Sequence, residues 1–214
     1  MATAPPSGTV TFLFTDIEGS AQLWDREPIA MTKALETHDR IIRGAAEAHQ
    51  GYVFSTAGDA FSIAYARSEP ALATALKVQR ELHQQGVPFR VRMAMHVGVA
   101  SERDGDYFGR APNRCARLLS IANGGQLLLS AAAYELLKEE LPEGVGSADL
   151  GSHRLRDLAE PEHVFEVLHP NSGPSRPLRS LSELPNNLPA QLTSFVGRVN
   201  ELEEAAKLLR GSRL

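Results

Sequence analysis

The chain predicts an α+β fold of the ferredoxin-like type, a mainly antiparallel sheet with helices packed on it. Three observations carry this reading. Strand-like and helix-like segments follow one another in the order β-α-β-β-α-β-β-α, with extra elements behind. From Ile29 to His49, the residues Met31, Leu35, His38, Ile41, Ile42 and Ala45 recur at a 3.6-residue spacing, which gives a helix one buried face. From Phe89 to Ser101, Val91, Met93, Met95, Val97 and Val99 alternate with their neighbours, as a half-buried strand requires.

The remaining elements follow in order. Residues 1–8 read as a disordered lead-in. Val10 to Phe14 is a short β-branched and aromatic run, hence a strand. Asp16-Ile17-Glu18-Gly19-Ser20 breaks it and offers Ser20 as a helix N-cap, and Gly51 stops the long helix. Tyr52–Thr56 and Ala60–Tyr65 form a hairpin whose tip carries Asp59. Ser68–Gln85 is the next amphipathic helix, with Leu72, Ala75, Leu76, Gln79 and Leu82 on one face. The polar turn Glu102–Asp106 predicts a second hairpin. Gly109–Asn123 is a helix that tolerates Pro112 in its first turn, and Gly124-Gly125 ends it. Gln126–Leu129 is a strand and Ala131–Leu141 a helix. Two short strands near Val145–Leu150 and Val164–Leu168 complete the domain, with two helices expected on one face of the sheet.

The chain has 214 residues, enough for one sizeable domain, and its hydrophobic content of 43% is that of an ordinary globular protein. The net charge of −4 gives no electrostatic footprint for nucleic acid, so no direct nucleic-acid partner is expected. The one cysteine, Cys115, cannot form an internal disulfide and suits a reducing cytosol. The first eight residues lack a signal peptide's basic and apolar regions, and no apolar run is long enough for a membrane span. A cytoplasmic location is therefore expected. Trp24 reads as a packing residue, and the seven histidines show no metal-ligand spacing.

The chemistry concentrates in three segments: Phe12–Ser20 with Asp16, Gly51–Phe61 with Asp59, and Asp106–Arg117. Two carboxylates at the ends of neighbouring strands can converge on hard divalent cations, which take oxygen ligands. That is an arrangement suited to two-metal phosphoryl chemistry. The backbone amides from Ile17 to Ser20, at a helix start, are placed to meet phosphate oxygens. Asn113 and Arg117 stand four residues apart, so both side chains can point into one cleft.

These three segments, in this order, resemble the motifs of class III nucleotidyl cyclases, the adenylyl and guanylyl cyclase homology domains. The Asp-Tyr-Phe-Gly stretch at Asp106, the Asn-Arg-x-x-Arg helix start and His153–Leu158 resemble the bacterial subgroup found fused to ATPase and helix-turn-helix regulators. The resemblance spans roughly residues 8–168. It implies conversion of ATP, or GTP, to a 3′,5′-cyclic nucleotide and pyrophosphate, with two Mg²⁺ or Mn²⁺ ions held by Asp16, the Ile17 carbonyl and Asp59. It implies that Glu18, Gly19 and Ser20 serve the phosphates, that Asn113 orients the ribose, and that Arg117 stabilises charge on the α-phosphate. It also implies a head-to-tail homodimer whose sites draw on both chains. Arg156 reaches the triphosphate by analogy, with a surface arginine as the other reading. Asp106 matches the purine-binding aspartate. The partnering lysine position is held by Ser55, which is short and neutral, so the choice between ATP and GTP stays open. The alternative is a weakly active or inactive module that dimerises and governs a transcriptional regulator.

The catalytic domain is expected over 9–169. From 170 to 189 the chain turns rich in Pro, Ser and Asn and reads as a linker. Residues 190–214 resemble the truncated start of a regulatory ATPase module. No G-x-x-x-x-G-K-[ST] occurs in the sequence, so the ATPase itself is not expected in this chain, which reads as a fragment or a split version of a longer regulator, with a downstream ATPase or transcriptional regulator as an expected partner.

Overall fold

The computed structural model describes residues 4–170, 172 and 175–180. The chain divides into two units, Met1–Leu184 and Pro185–Leu214. The expected ATPase start lies in the second unit, outside the described residues; of the expected linker, residues 170, 172 and 175–180 are described.

The core is a seven-stranded sheet in the order β2-β3-β1-β4-β7-β9-β8. Its strands are β1 (Thr9–Ile17), β2 (Tyr52–Ala57), β3 (Ala60–Tyr65), β4 (Val91–Val99), β7 (Leu127–Ser130), β8 (Gly146–His153) and β9 (Glu162–Leu168). All neighbours run antiparallel except β4 and β7. A separate hairpin joins β5 (Ser101–Arg103) to β6 (Asp106–Phe108). The helices are α1 (Ser20–Arg26), α2 (Pro28–Ala48), α3 (Ser68–Gln85), α4 (Arg110–Ile121) and α5 (Ala131–Leu137).

Alternation along the strands divides the core in two. Leu13, Ile17, Met93 and Met95 face one way, into a cluster with Met31, Ile41 and Ile42 of α2 and Leu72, Ala75 and Val78 of α3. Val10, Phe12 and Ala94 face the other way and meet Ala111, Cys115 and Leu118 of α4. α2 and α3 do share one face, as expected, but α5 joins them there through Ala133 and Leu137, and α4 covers the opposite face. Its apolar residues alone could not reveal which face they would cover.

Other differences have local causes. β1 runs to Ile17, past the expected end at Phe14, because pairing with β4 continues through Asp16↔Arg92 and Ile17↔Val91. Gly19, at φ 70, caps α1, and Ser20 makes no side-chain cap. Pro28 starts α2 as a separate helix. Trp24 lies on α1, which buries none of its residues, and is 38% exposed, so it is no core residue. At the N-terminus the Tyr107 hydroxyl donates to the Pro6 carbonyl at 2.6 Å, holding one point of the expected disordered lead-in. Within the expected linker, Leu178 is only 3% exposed and the Arg179 amide donates to the Ile121 carbonyl at 3.0 Å. Residues 175–180 are thus a strap against the domain.

Candidate active site

Asp16 stands one residue from the end of β1, and its side chain faces the α4 side of the sheet, out of phase with Leu13 and Ile17. Across the ladder, Arg92 of β4 donates from both Nε (2.9 Å) and Nη2 to the same oxygen, Oδ2. Both side chains are about one-fifth exposed, so this ion pair is only partly screened. The Asp59 turn folds back so that its Oδ2 accepts from the Ile17 amide at 3.2 Å. This contact, between residues 42 apart in sequence, unites the two predicted aspartates with the Ile17 backbone.

His38 lies on α2, wholly buried between the rings of Phe61 and Phe89. Its Nδ1 is 2.9 Å from Asp39 Oδ1, and its Nε2 has no partner. Burial lowers its pKa, against the opposing pull of Asp39, Asp59 and Asp16, so the imidazole is held towards its neutral form.

On α4, Asn113 is exposed and Arg117 half-buried, one turn apart on the flank that Ala111, Cys115 and Leu118 leave free. Arg117 pairs with Asp157 at 2.8 Å. Arg156 approaches the same carboxylate at 3.8 Å and is 78% exposed, so the two predicted arginines share one anion. Asp106 opens β6 and accepts from the Tyr107 amide at 2.7 Å. Ser55 is exposed on β2 beside a register shift. β2 lies against the β5–β6 hairpin: the Tyr52 hydroxyl donates to the Gly105 carbonyl at 3.0 Å, and the Phe54 and Tyr107 rings meet at 5.0 Å. Ser55 and Asp106 therefore belong to touching elements. No hydrogen bond or ion pair among the described residues joins Asp16 or Asp59 to Asn113 or Arg117.

In the Glu18–Ser20 loop, the Glu18 amide donates to the Arg90 carbonyl at 3.0 Å. Its carboxylate turns away to Arg176 (3.1 Å) and Arg179 of the strap. Gly19 supplies the left-handed backbone that starts α1. Cys115 is fully buried and its thiol is pushed well above the usual range by burial, which makes it a core residue and no nucleophile.

Among the described residues no three His, Cys, Asp or Glu side chains gather as a metal cluster. The donor set here is two carboxylates and a backbone carbonyl, all oxygen. It fits a hard divalent cation that draws its other ligands from water and a phosphate chain, and does not fit a soft metal. Sequence reasoning missed Arg92, His38 and the two strap arginines. Arg92 carries the signal of a charge inside an alternating apolar strand. The others have no local signal.

The chain matches the family described as "Adenylate and Guanylate cyclase catalytic domain" over residues 2–156. An uncharacterized protein of Mycobacterium tuberculosis is 41% identical over 198 residues, covering 91% of this chain and 68% of that protein. A receptor-type adenylate cyclase of Trypanosoma brucei brucei is 31% identical over 222 residues, covering 82% of this chain but 18% of that much longer protein. A solved structure from a study of Trypanosoma brucei adenylate cyclases in their monomeric state superposes with a TM-score of 0.73 at 29% identity, covering 83% of this chain and 96% of that one.

Proposed function

Because the chain belongs to the adenylate and guanylate cyclase catalytic-domain family, we propose that it converts ATP or GTP to the 3′,5′-cyclic nucleotide and pyrophosphate. The observation that carries this reading is the Asp59 carboxylate folded onto the Ile17 amide, beside Asp16.

Asp16, Asp59 and the Ile17 carbonyl would hold two Mg²⁺ or Mn²⁺ ions, which supply Lewis acidity for the ribose 3′-hydroxyl and the triphosphate. Asp16 keeps Oδ1 clear of Arg92, so one oxygen stays available to a cation while the guanidinium fixes the carboxylate's direction. The backbone from Ile17 to Ser20 receives phosphate oxygens. Asn113 orients the ribose, and Arg117 meets the charge that develops on the α-phosphate. For Arg117 to do so it must leave Asp157, an exchange of one anion for another at a half-exposed site. Asp106 accepts from the purine, with Ser55 beside it. Arg156, largely exposed, adds general positive charge near the triphosphate.

No hydrogen bond or ion pair joins the aspartates to the Asn113–Arg117 pair within one chain among the described residues. A homodimer in which each site takes its aspartates from one chain and its helix pair from the other accommodates this. No helix among the described residues is long and apolar enough to cross a membrane.

The test is turnover of purified protein with Mn²⁺ and either nucleotide, with products resolved by chromatography. A cyclic product is expected, falling by about two orders of magnitude or more in Asp16→Ala or Asp59→Ala. Full activity in either variant sinks the assignment. Ser55 favours a second reading, a nucleotide-binding module that dimerises and governs a downstream ATPase or transcriptional regulator. A folded protein that binds nucleotide and forms no product supports that reading.

A further inference from the structure

A cleft of about 870 Å³ opens between α1, the C-terminal end of α3 and the start of β4, and neither Asp16 nor Asp59 lines it. Among the described residues, four guanidinium groups border it, those of Arg26, Arg90, Arg176 and Arg179, against one carboxylate, Glu18. Four cations less one anion leave a local surplus of three positive charges, in a chain whose net charge is −4. Arg26 and Arg90 enter no ion pair among the described residues. Arg176 and Arg179 converge on the two oxygens of Glu18.

The two strap arginines are also fixed from behind. Arg176 Nη2 donates to the Gly124 carbonyl at 2.9 Å, and Arg179 Nε donates to Asn123 Oδ1 at 3.0 Å. Their backbone is tied down as well: Asn123 Nδ2 donates to the Pro177 carbonyl at 2.8 Å, and Gln126 Nε2 to the Arg176 carbonyl at 3.1 Å. The guanidinium forks are therefore ordered before any ligand arrives, which lowers the entropy cost of binding. Planar forks match phosphoryl oxygens in pairs, and the cleft is the size of a small-molecule site.

We propose that this cleft is an anion site for a phosphoryl-bearing small molecule, with Glu18 as its internal competitor. An entering polyanion replaces Glu18 on Arg176 and Arg179 and also engages Arg26 and Arg90. Glu18 belongs to the loop that follows Asp16 and Ile17, so occupancy is communicated to the aspartate end through the backbone. Pyrophosphate is the natural occupant if the chain is a cyclase, since the reaction releases it. That identification rests on the function proposed above, whereas binding of the anion does not.

The experiment is calorimetric titration of the full chain with inorganic pyrophosphate in EDTA, so that no cation bridges the ligand to the aspartates. Saturable binding is expected. It should weaken about tenfold or more in the exposed-site variant Arg26→Gln/Arg90→Gln and largely return in Arg26→Lys/Arg90→Lys. It should tighten severalfold in Glu18→Gln, which removes the competitor, and stay within about twofold in Asp59→Ala. A merely structural role for Glu18 predicts weaker binding in Glu18→Gln, and that result overturns the proposal. So does an absence of saturable binding by the wild-type chain, unchanged binding in the glutamine pair, or loss confined to Asp59→Ala. Cyclic-nucleotide formation is assayed separately. Product without pyrophosphate binding removes this site and leaves the cyclase reading standing, and the reverse result does the opposite.

Discussion

At the residue scale, two side chains make sharp predictions. Ser55 is exposed on β2, where the resemblance expects a lysine, and open solvent beside it leaves room for a longer chain. Ser55→Lys is expected to raise turnover of ATP relative to GTP by roughly tenfold, the value of one recovered charged hydrogen bond. Competition kinetics with both nucleotides would measure it, and an unchanged ratio removes Ser55 from base selection. His96 is buried on β4 with Nδ1 2.8 Å from Ser130 Oγ. Burial, and then the nearby Arg114, push its pKa down to about 4. Folding therefore keeps His96 neutral where the unfolded chain would protonate it. Its contribution is complete above pH 6.5 and is lost as pH falls towards 4, at a slope of up to about 1.4 kcal/mol per pH unit. Urea denaturation at pH 7 and pH 5 should show the loss, and His96→Gln should flatten it.

At the scale of elements, two glycines separate packing from propensity. Gly51 joins α2 to β2, and a Cβ there would stand 2.7 Å from the Tyr65 ring. That ring cannot retreat, because it is buried and its hydroxyl donates to Thr74 at 2.8 Å. Gly51→Ala should cost about 1–3 kcal/mol through overpacking. Gly44, inside α2, has nothing within 4 Å of its would-be Cβ. Gly44→Ala should stabilise by about 0.5–1 kcal/mol through helix propensity alone. Equal and same-signed effects in denaturant titrations would refute this division.

For the whole molecule, no hydrogen bond or ion pair among the described residues joins the two halves of the proposed site. Asp16 and Asp59 gather at the ends of β1 and the β2–β3 turn, while Asn113 and Arg117 ride on α4. A mixture of inactive Asp16→Ala and Arg117→Ala chains should therefore regain up to about one-quarter of wild-type activity. Random pairing gives half heterodimers, each with one repaired site of two. Size-exclusion chromatography with activity across the fractions would follow the recovery, and no recovery argues against sites shared between chains.

The local settings of Asp16, Asp59, Asn113 and Arg117 were legible in the sequence, because a strand end, a tight turn and one helical turn are each defined by a short segment. Helix and strand identities were legible for the same reason, since periods of 3.6 and 2 need no distant partner. Tertiary structure alone decided which face α4 covers. It also decided that Arg92 aims at Asp16 across 76 residues, that His38 is buried between the rings of Phe61 and Phe89, and that strap arginines more than 150 residues downstream clamp Glu18. Such pairings depend on strand register and on the path of the chain after the last strand. Both are fixed by burying a shared core and leave no periodic trace in the residues themselves.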